Sequence, residues 1–479
     1  MLDVPPEIWL YISSFISNDD LLELIGVNIQ FYNLALDIRY RTIRIDTVNA
    51  STDKLLQRLR DPAAASRVRR LVVRPVVKNP LPSEATSTAP SLWQRISSVA
   101  AGRKQQLPSV ERAIDALILV FPGLVNLTRF EIESWEMSPE YDLQPFFRQA
   151  WSSFGRQLEA ISMAGRPEVF RQFVASDPQP VSCTTLSLQF THELDTTAAA
   201  AVEGIMVDSV APFINSLAPH LQSLSIWSWS TLDLSALFLN LRIFPQLRDF
   251  HLRASFNKAF PNPSGLTKLL EDNATSLQSV ALRLNPAGSA MDPTSERSLG
   301  EWFASHETHS AVLANLKYLG MYPTTTGRGF DALVMYAQRS ADTLTSLAVK
   351  DRYLDLDEVE ALIAPVAHRH PDDGLQSLRI NVRVWSAELF ELLAAKLPGL
   401  QSLALYVGGS HPHRAATELF FTGMHTHSFE SWKLRDIGVW QGGSEVPSGT
   451  MRLLANCIPS VRSFWGNGHT YGECKIYPP

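Results

Sequence analysis

The sequence predicts an α/β protein: three short N-terminal helices, then a curved solenoid with parallel strands on its concave side and helices on its convex side. Three observations predict it. One short apolar pattern recurs along the chain, a helix-like stretch precedes most copies, and the first forty-seven residues stand outside the pattern. The chain has 479 residues, about three times the ~150 of a typical domain. Several domains or one long repeat array fit that length better than a single globule. Apolar residues make up 45%, enough for a sizeable core, and charged residues only 19%, too few for a coiled coil or a charged tail protein.

Pro5 and Pro6 with Glu7 open a helix, because proline fits the first turn and an acid complements the helix dipole there. Ile8, Ile12 and Phe15, with Trp9 and Ile16, fall at helical spacing. Ser17-Asn18-Asp19 breaks that helix and caps a second, Asp20 to Ile25. A third runs from Asn28 to Asp37, with Phe31, Leu34 and Ala35 apolar. Three helices in about forty residues cannot bury their apolar surface alone. They need the rest of the chain, or another protein, to cover it.

The recurring pattern is apolar-x-x-apolar-x-apolar. Clear copies are Leu221/Leu224/Ile226, Leu247/Phe250/Leu252, Leu277/Val280/Leu282, Leu316/Leu319/Met321, Leu344/Leu347/Val349, Leu375/Leu378/Ile380, Leu400/Leu403/Leu405 and Leu434/Ile437/Val439. Weaker copies are Val68/Leu71/Val73, Leu127/Phe130/Ile132, Leu158/Ile161/Met163, Cys183/Leu186/Leu188 and a fragment at Val461/Phe464. Eleven steps carry the middle residue from Phe130 to Phe464, a mean of about 30 residues. Alternation at the end of each copy predicts a strand with one buried face. The stretch before it reads as a helix, for example Ala387 to Lys396 with Leu389, Phe390, Leu392 and Leu393. Pro122, Pro245, Pro398 and Pro459 stand just before strands, where proline stops a helix and biases its predecessor to extended backbone. Stacked helix–turn–strand units make a solenoid. The stretch at about 76–108, rich in Pro, Ser and Thr, breaks the rhythm and is expected to be a disordered or regulatory insertion.

On these residues the array resembles the leucine-rich-repeat family in its long helical form. The N-terminal segment resembles an F-box. Val4-Pro5-Pro6-Glu7 matches that family's Leu-Pro-x-Glu opening, Asp20-Leu21-Leu22-Glu23-Leu24 its Asp-Leu-Leu-x-Leu element, and Val27 to Phe31 its Val-x-x-x-Phe element. The expected organisation is an F-box at 1–47 and a leucine-rich-repeat solenoid at 48–479. The resemblance implies a non-catalytic receptor of an SCF-type cullin–RING ubiquitin ligase. It implies binding of a Skp-type adaptor, and through it cullin, by Pro5, Pro6, Ile8, Trp9, Ile12, Leu21, Leu22, Leu24, Val27 and Phe31. The repeats would then present a target protein. The alternative is a repeat scaffold whose N-terminal helices only cap the solenoid, as such arrays require.

The target-binding surface is expected three residues after each middle apolar residue, on the strand face away from the helices. Those residues include Gln189, Trp227, Arg253, Arg283, Tyr322, Lys350, Asn381, Tyr406 and Trp440. Arg379, Arg383 and Trp385 extend the column. It reads as cationic and aromatic with no carboxylate, the residue types enriched in binding hot spots, and so suits an acidic or phosphorylated segment.

Other chemistry is not expected. Lys and Arg total 42 against 48 Asp and Glu, a net charge of −6, so a general nucleic-acid binder is disfavoured. Apolar runs such as Ile114 to Phe121 are far shorter than a membrane span. Three cysteines, Cys183, Cys457 and Cys474, and no basic leader suit the cytoplasm or nucleus. His411, His413, His425, His427 and His469 lack metal-site spacing. Gly327-Arg328-Gly329 lacks the length and Lys of a phosphate loop, Gly442-Gly443 reads as a turn, and no Gly-x-Ser-x-Gly elbow occurs. No cofactor and no active site of its own are expected.

Overall fold

The computed structural model describes residues 5–76, 110–135, 137, 141–191, 199–228, 232–285, 291–306, 312–367, 374–408, 414–441 and 448–465. The expected insertion, apart from Val76, lies outside them. So do His411, His413, Gly442, Gly443, His469 and Cys474.

The first helix, α1, spans Pro6–Ser13 with proline in its first turn. The second, α2, spans Asn18–Glu23 and is capped by the Ser17 side chain, which accepts from the Asp20 N–H at 3.2 Å. A 3₁₀ turn at Leu24–Gly26 follows. The third, α3, spans Ile29–Arg41 and is capped by Asn28, which accepts from the Phe31 N–H at 2.8 Å. It runs four residues past the expected end at Asp37, because no glycine or proline stops it. Leu21, Phe31, Ala35 and Tyr40 are buried. Arg67 holds α3 in place. Its guanidinium donates to Asn33 O at 3.0 Å and Asn33 Oδ1 at 3.1 Å, and pairs with Asp37.

The chain passes from α3 directly into a strand, β1, at Thr42–Thr47. The helical segment expected over 1–47 therefore ends in the first strand of the array. Tyr40-x-x-Ile43-x-Ile45 is a further copy of the apolar pattern, hidden by the two arginines and the threonine within it.

The molecule divides into two compact units, Met1–Leu221 and Gln222–Pro479. In the first, β1 is followed by β2 (Arg70–Val76), β3 (Arg129–Glu133), β4 (Ala160–Gly165) and β5 (Thr185–Phe190), all parallel and in chain order. Their middle residues, Ile43, Leu71, Phe130, Ile161 and Leu186, stand opposite one another. In the second, β6 (Ser223–Ser228), β7 (Asp249–Arg253), β8 (Ser279–Arg283), β9 (Tyr318–Met321), β10 (Ser346–Leu354), β11 (Ser377–Val382), β12 (Ser402–Val407), β13 (Asp436–Gln441) and β14 (Ser463–Trp465) do the same. Leu224, Phe250, Val280, Leu319, Leu347, Leu378, Leu403, Ile437 and Phe464 share one row.

From β1 to β13 the middle residue and the one two positions on are buried; the residue between them is half-buried or exposed in most of β1–β8, and a buried Gly or Ala (Gly320, Ala348, Ala404, Gly438) in four of β9–β13. One sheet face is thus covered by helices and the other is open. The cover consists of successive helices packed side by side, among them Gln144–Phe154 against Pro167–Ala175 and Pro293–Ser305 against Gly327–Arg339. Each fully buried Leu or Phe contributes roughly 1.5–3 kcal/mol by leaving water, and every repeat supplies several.

The β1–β2 pairing shifts register between Ile45 and Thr47, and β10 departs further. In β10 the pairing with β11 slips between Ala348 and Tyr353, and Asp351 adopts φ 59°. This bulge re-aims the side chains on the open face.

Candidate protein-binding surfaces

The N-terminal helices leave much of their apolar surface uncovered. Among the described residues eighteen large hydrophobic side chains are exposed, and nine of them lie between residues 8 and 32. Of the ten residues tied to adaptor binding, Pro5, Ile8, Ile12, Leu22 and Val27 are exposed, Ile8 by 47% and Val27 by 61%. Trp9 and Leu24 are half-buried, and Pro6 opens α1. Leu21 and Phe31 are buried, so they join the helices to one another instead of facing a partner. Trp9 packs edge-on against Phe31 with ring centroids 5.3 Å apart. Leu10, Tyr11, Phe15, Ile29 and Tyr32 are also exposed. Leu10 and Tyr11 were not legible because helical spacing put the apolar residues of α1 on one face, and α1 is instead exposed around most of its circumference.

The second surface is the open sheet face of the second unit. Trp227, Arg253 and Arg283 stand in one row across β6, β7 and β8. The Arg253 guanidinium lies over the Trp227 ring, 4.7 Å from its centroid, a cation–π contact. Asn381, Tyr406 and Trp440 stand opposite one another across β11, β12 and β13. The Tyr406 and Trp440 rings are stacked 4.5 Å apart at 8°. Arg379 covers Tyr406, 4.6 Å from its centroid, and donates to its hydroxyl at 2.9 Å.

Between these two groups the expected column breaks, for three reasons. Tyr322 is only 2% exposed. Its hydroxyl turns inward and donates to buried Glu296, whose other oxygen accepts from the Thr325 N–H at 2.7 Å. Burial, then the Glu296 hydrogen bond and charge, push the Tyr322 hydroxyl far above its usual range. Second, the bulge puts Tyr353, not Lys350, opposite Asn381, and Asn381 itself is buried. Third, the column does contain a carboxylate. Arg283 donates to Asp351 through both Nε and Nη2, the latter at 2.8 Å. This pair reaches from β8 to β10 above the place Tyr322 vacates. Sequence spacing could not place Asp351 because the bulge shifts the alternation. Trp385, expected to extend the column, is 3% exposed and stacked on Phe420 at 4.3 Å; it is core. Arg383 is exposed.

His251 and Tyr318 lie on the same face, ring centroids 6.5 Å apart. His251 is solvent-accessible, yet the protein crowded around it lowers its pKa. Asp249 opposes that shift and Lys350 reinforces it. Tyr318 covers Gly320, where an added Cβ would come within 2.5 Å of its hydroxyl.

The remaining candidates are structural. Cys183 is buried, donates to Thr185 O at 3.4 Å, and its thiol is pushed up to about 12 by burial. Cys457 is buried and donates to Met424 O at 3.2 Å. His427 lies against Gly423 O and Glu391. Gly329 sits inside a helix start where a Cβ would come within 2.2 Å of Pro323 O, so close backbone approach explains it. A cavity of ≈ 460 Å³ is lined by Arg148, Trp151, Ser152, Arg156, Ser176 and Asp177 with five other residues, none of them His or Cys, so it holds no serine–histidine or cysteine–histidine pair. Among the described residues no group of three His, Cys, Asp or Glu could hold a metal ion, and no helix is long and apolar enough to cross a membrane.

No protein-family model matches the chain, and no curated protein matches it in sequence.

Proposed function

We propose that the protein is a non-catalytic target receptor of a cullin–RING ubiquitin ligase, with an F-box-like N-terminus and a leucine-rich-repeat-like array. The N-terminal helices bind the Skp-type adaptor, and the open face of the second unit binds a target protein. One observation carries the reading: half of the described exposed large hydrophobic side chains crowd into the first thirty-two residues. Contiguous apolar surface of that kind marks an interaction site. The F-box-like residues Pro5, Glu7 and Asp20-Leu21-Leu22 in the same segment say which partner fits.

The target would meet two aromatic–guanidinium groups, Trp227/Arg253 and Arg379/Tyr406/Trp440. With Arg283 held by Asp351, the face offers flat stacking surface more than free positive charge. The compartment that suits this role is the cytoplasm or nucleus.

A second reading has one observation in its favour. Arg67, and Arg58 through the hydroxyl of buried Tyr40, dock α3 on the array, as a cap would. Capping does not account for the uncovered faces of α1 and α2.

Adaptor capture separates the two. Full-length protein should retain the purified Skp-type adaptor, and Ile8→Asp with Val27→Asp should weaken capture more than tenfold without unfolding the chain. A wild-type chain that captures no adaptor would leave the cap reading in place. Tyr406→Ala with Trp440→Ala should leave adaptor capture intact and reduce the proteins co-purified under proteasome block.

A further inference from the structure

A second group of cations lies in the first unit, outside the expected column. Five arginines lie on neighbouring backbone at the starts of β1, β2 and β3: Arg41, Arg44, Arg69, Arg70 and Arg129. The backbone places them. The Arg69 N–H donates to Arg41 O at 2.9 Å and the Arg129 N–H to Arg69 O at 3.0 Å. Arg70 stands opposite Thr42 on one side and Arg129 on the other. Arg44 shares the open face with Arg70 and Arg129, two residues along β1. Adjacent strands are ~4.8 Å apart, so the cluster is about 10 Å wide.

Its charges are unequally committed. Arg70 pairs with Glu131, Nε to Oε1 at 2.8 Å, and Arg69 donates to Asn126 O at 3.3 Å. Arg41, Arg44 and Arg129 are exposed, and no described carboxylate pairs with any of them. Asp46 and Glu159 border the cluster, on β1 and before β4. Like charges held this close repel, and an anionic partner relieves that repulsion while steering its own approach.

We propose that Arg41, Arg44, Arg69, Arg70 and Arg129 form an interaction surface for an acidic segment of a partner polypeptide, one with closely spaced carboxylates or phosphates. Arginine suits both groups through its paired N–H donors. A nucleic acid fits less well. No exposed aromatic ring stands among the five arginines to stack a base, and the chain's net −6 repels a polyanion that runs beyond the cluster. A membrane also fits less well, since Val125, beside the Asn126 carbonyl that Arg69 holds, is a single small apolar side chain and offers little to enter it. The proposal goes beyond the receptor reading and does not need it.

The test uses the full chain and two fluorescent eight-residue peptides, octaglutamate and an alternating phosphoserine–glycine peptide. Anisotropy is read at 0.05, 0.15 and 0.5 M salt. At least one peptide should bind, less tightly as salt rises. Arg44→Gln with Arg129→Gln should weaken it about tenfold and flatten the salt dependence. Tighter binding of the phosphoserine peptide assigns phosphate as the recognised group; equal binding assigns charge alone. Arg297→Gln with Arg328→Gln removes the same charge from exposed helix positions of the second unit and should leave binding intact. The proposal fails if neither peptide binds at 0.05 M salt, or if the cluster variant binds as wild type. It fails equally if the control variant loses as much. It also fails if a 20-nucleotide RNA or phosphatidylserine vesicles bind more tightly than both peptides and depend on the same arginines. Circular dichroism confirms that each variant folds. Adaptor capture, measured in parallel, reports on the receptor reading alone, so the two fail separately.

Discussion

Tyr322 shows how one side chain decides the character of a surface. It sits where alternation puts an exposed residue, but its hydroxyl reaches buried Glu296. A carboxyl group buried in that position needs hydrogen-bond partners. Tyr322→Phe should cost about 1–3 kcal/mol, the range for leaving a buried polar group without its partner, read as a lower urea midpoint. Glu296 keeps the Thr325 N–H, so the fold should survive. His427 supplies a pH-dependent contact. Nδ1 lies 2.6 Å from Gly423 O and Nε2 pairs with Glu391. Both neighbours are acceptors, so only the doubly protonated ring satisfies both. The Gly423 carbonyl first, then the Glu391 and Glu388 charges, raise its pKa, with desolvation opposing. A raised folded-state pKa gives stability that is fully present below the unfolded value of 6.5 and is lost as pH rises through the folded value. The thermal midpoint of wild type minus that of His427→Gln should therefore shrink between pH 6 and pH 9. A difference that is constant across that range would refute the linkage. His251, shifted the other way, is common to both proteins and cancels.

At the scale of the element, helix spacing is set by backbone contact as much as by side chains. Helix Ser264–Asp272 approaches helix Ser235–Leu239 so closely that a Cβ on Gly265 would lie 2.4 Å from Leu239 N and 2.6 Å from Phe238 C. Backbone cannot swing aside as a side-chain tip can. Gly265→Ala should destabilise the second unit by about 1–3 kcal/mol, the usual cost of overpacking, although alanine is the better helix former. An unchanged denaturation midpoint would show that the two helices can separate. The strands follow a simpler rule. Each needs only two buried residues at alternate positions, which is why thirteen strands, from β2 to β14, could be placed from the apolar pattern. Strand β1 was hidden because arginine and threonine occupy its open-face positions and it follows α3 without a turn. The bulge in β10 had no signature either, since Lys350, Asp351 and Arg352 read as an ordinary polar stretch.

Across the whole chain, charge and apolarity are distributed unevenly in a way that composition conceals. A net charge of −6 coexists with a cluster of five arginines at the starts of β1–β3. A mean hydropathy of −0.03 coexists with nine exposed large hydrophobics in the N-terminal helices. Surface changes there should cost little: Ile8→Asp with Val27→Asp should move the denaturation midpoint by no more than about 0.5 kcal/mol per site. A larger loss would mean that these residues support the fold rather than face a partner.

The amino-acid order alone was enough for the class, the repeat, the strand rows and the three N-terminal helices. Each of these depends on periodicity within a few residues, and the burial of a Leu-x-Ile pair is the same in every repeat. Three features required the folded chain. Tyr322 turns inward because Glu296, twenty-six residues earlier, awaits a donor. Arg283 is neutralised because a positive φ at Asp351 swings a carboxylate across two strands. Arg44, Arg70 and Arg129 meet because parallel pairing brings together residues 26 and 59 positions apart. Contacts between distant segments are set by how elements stack, and no local pattern records them.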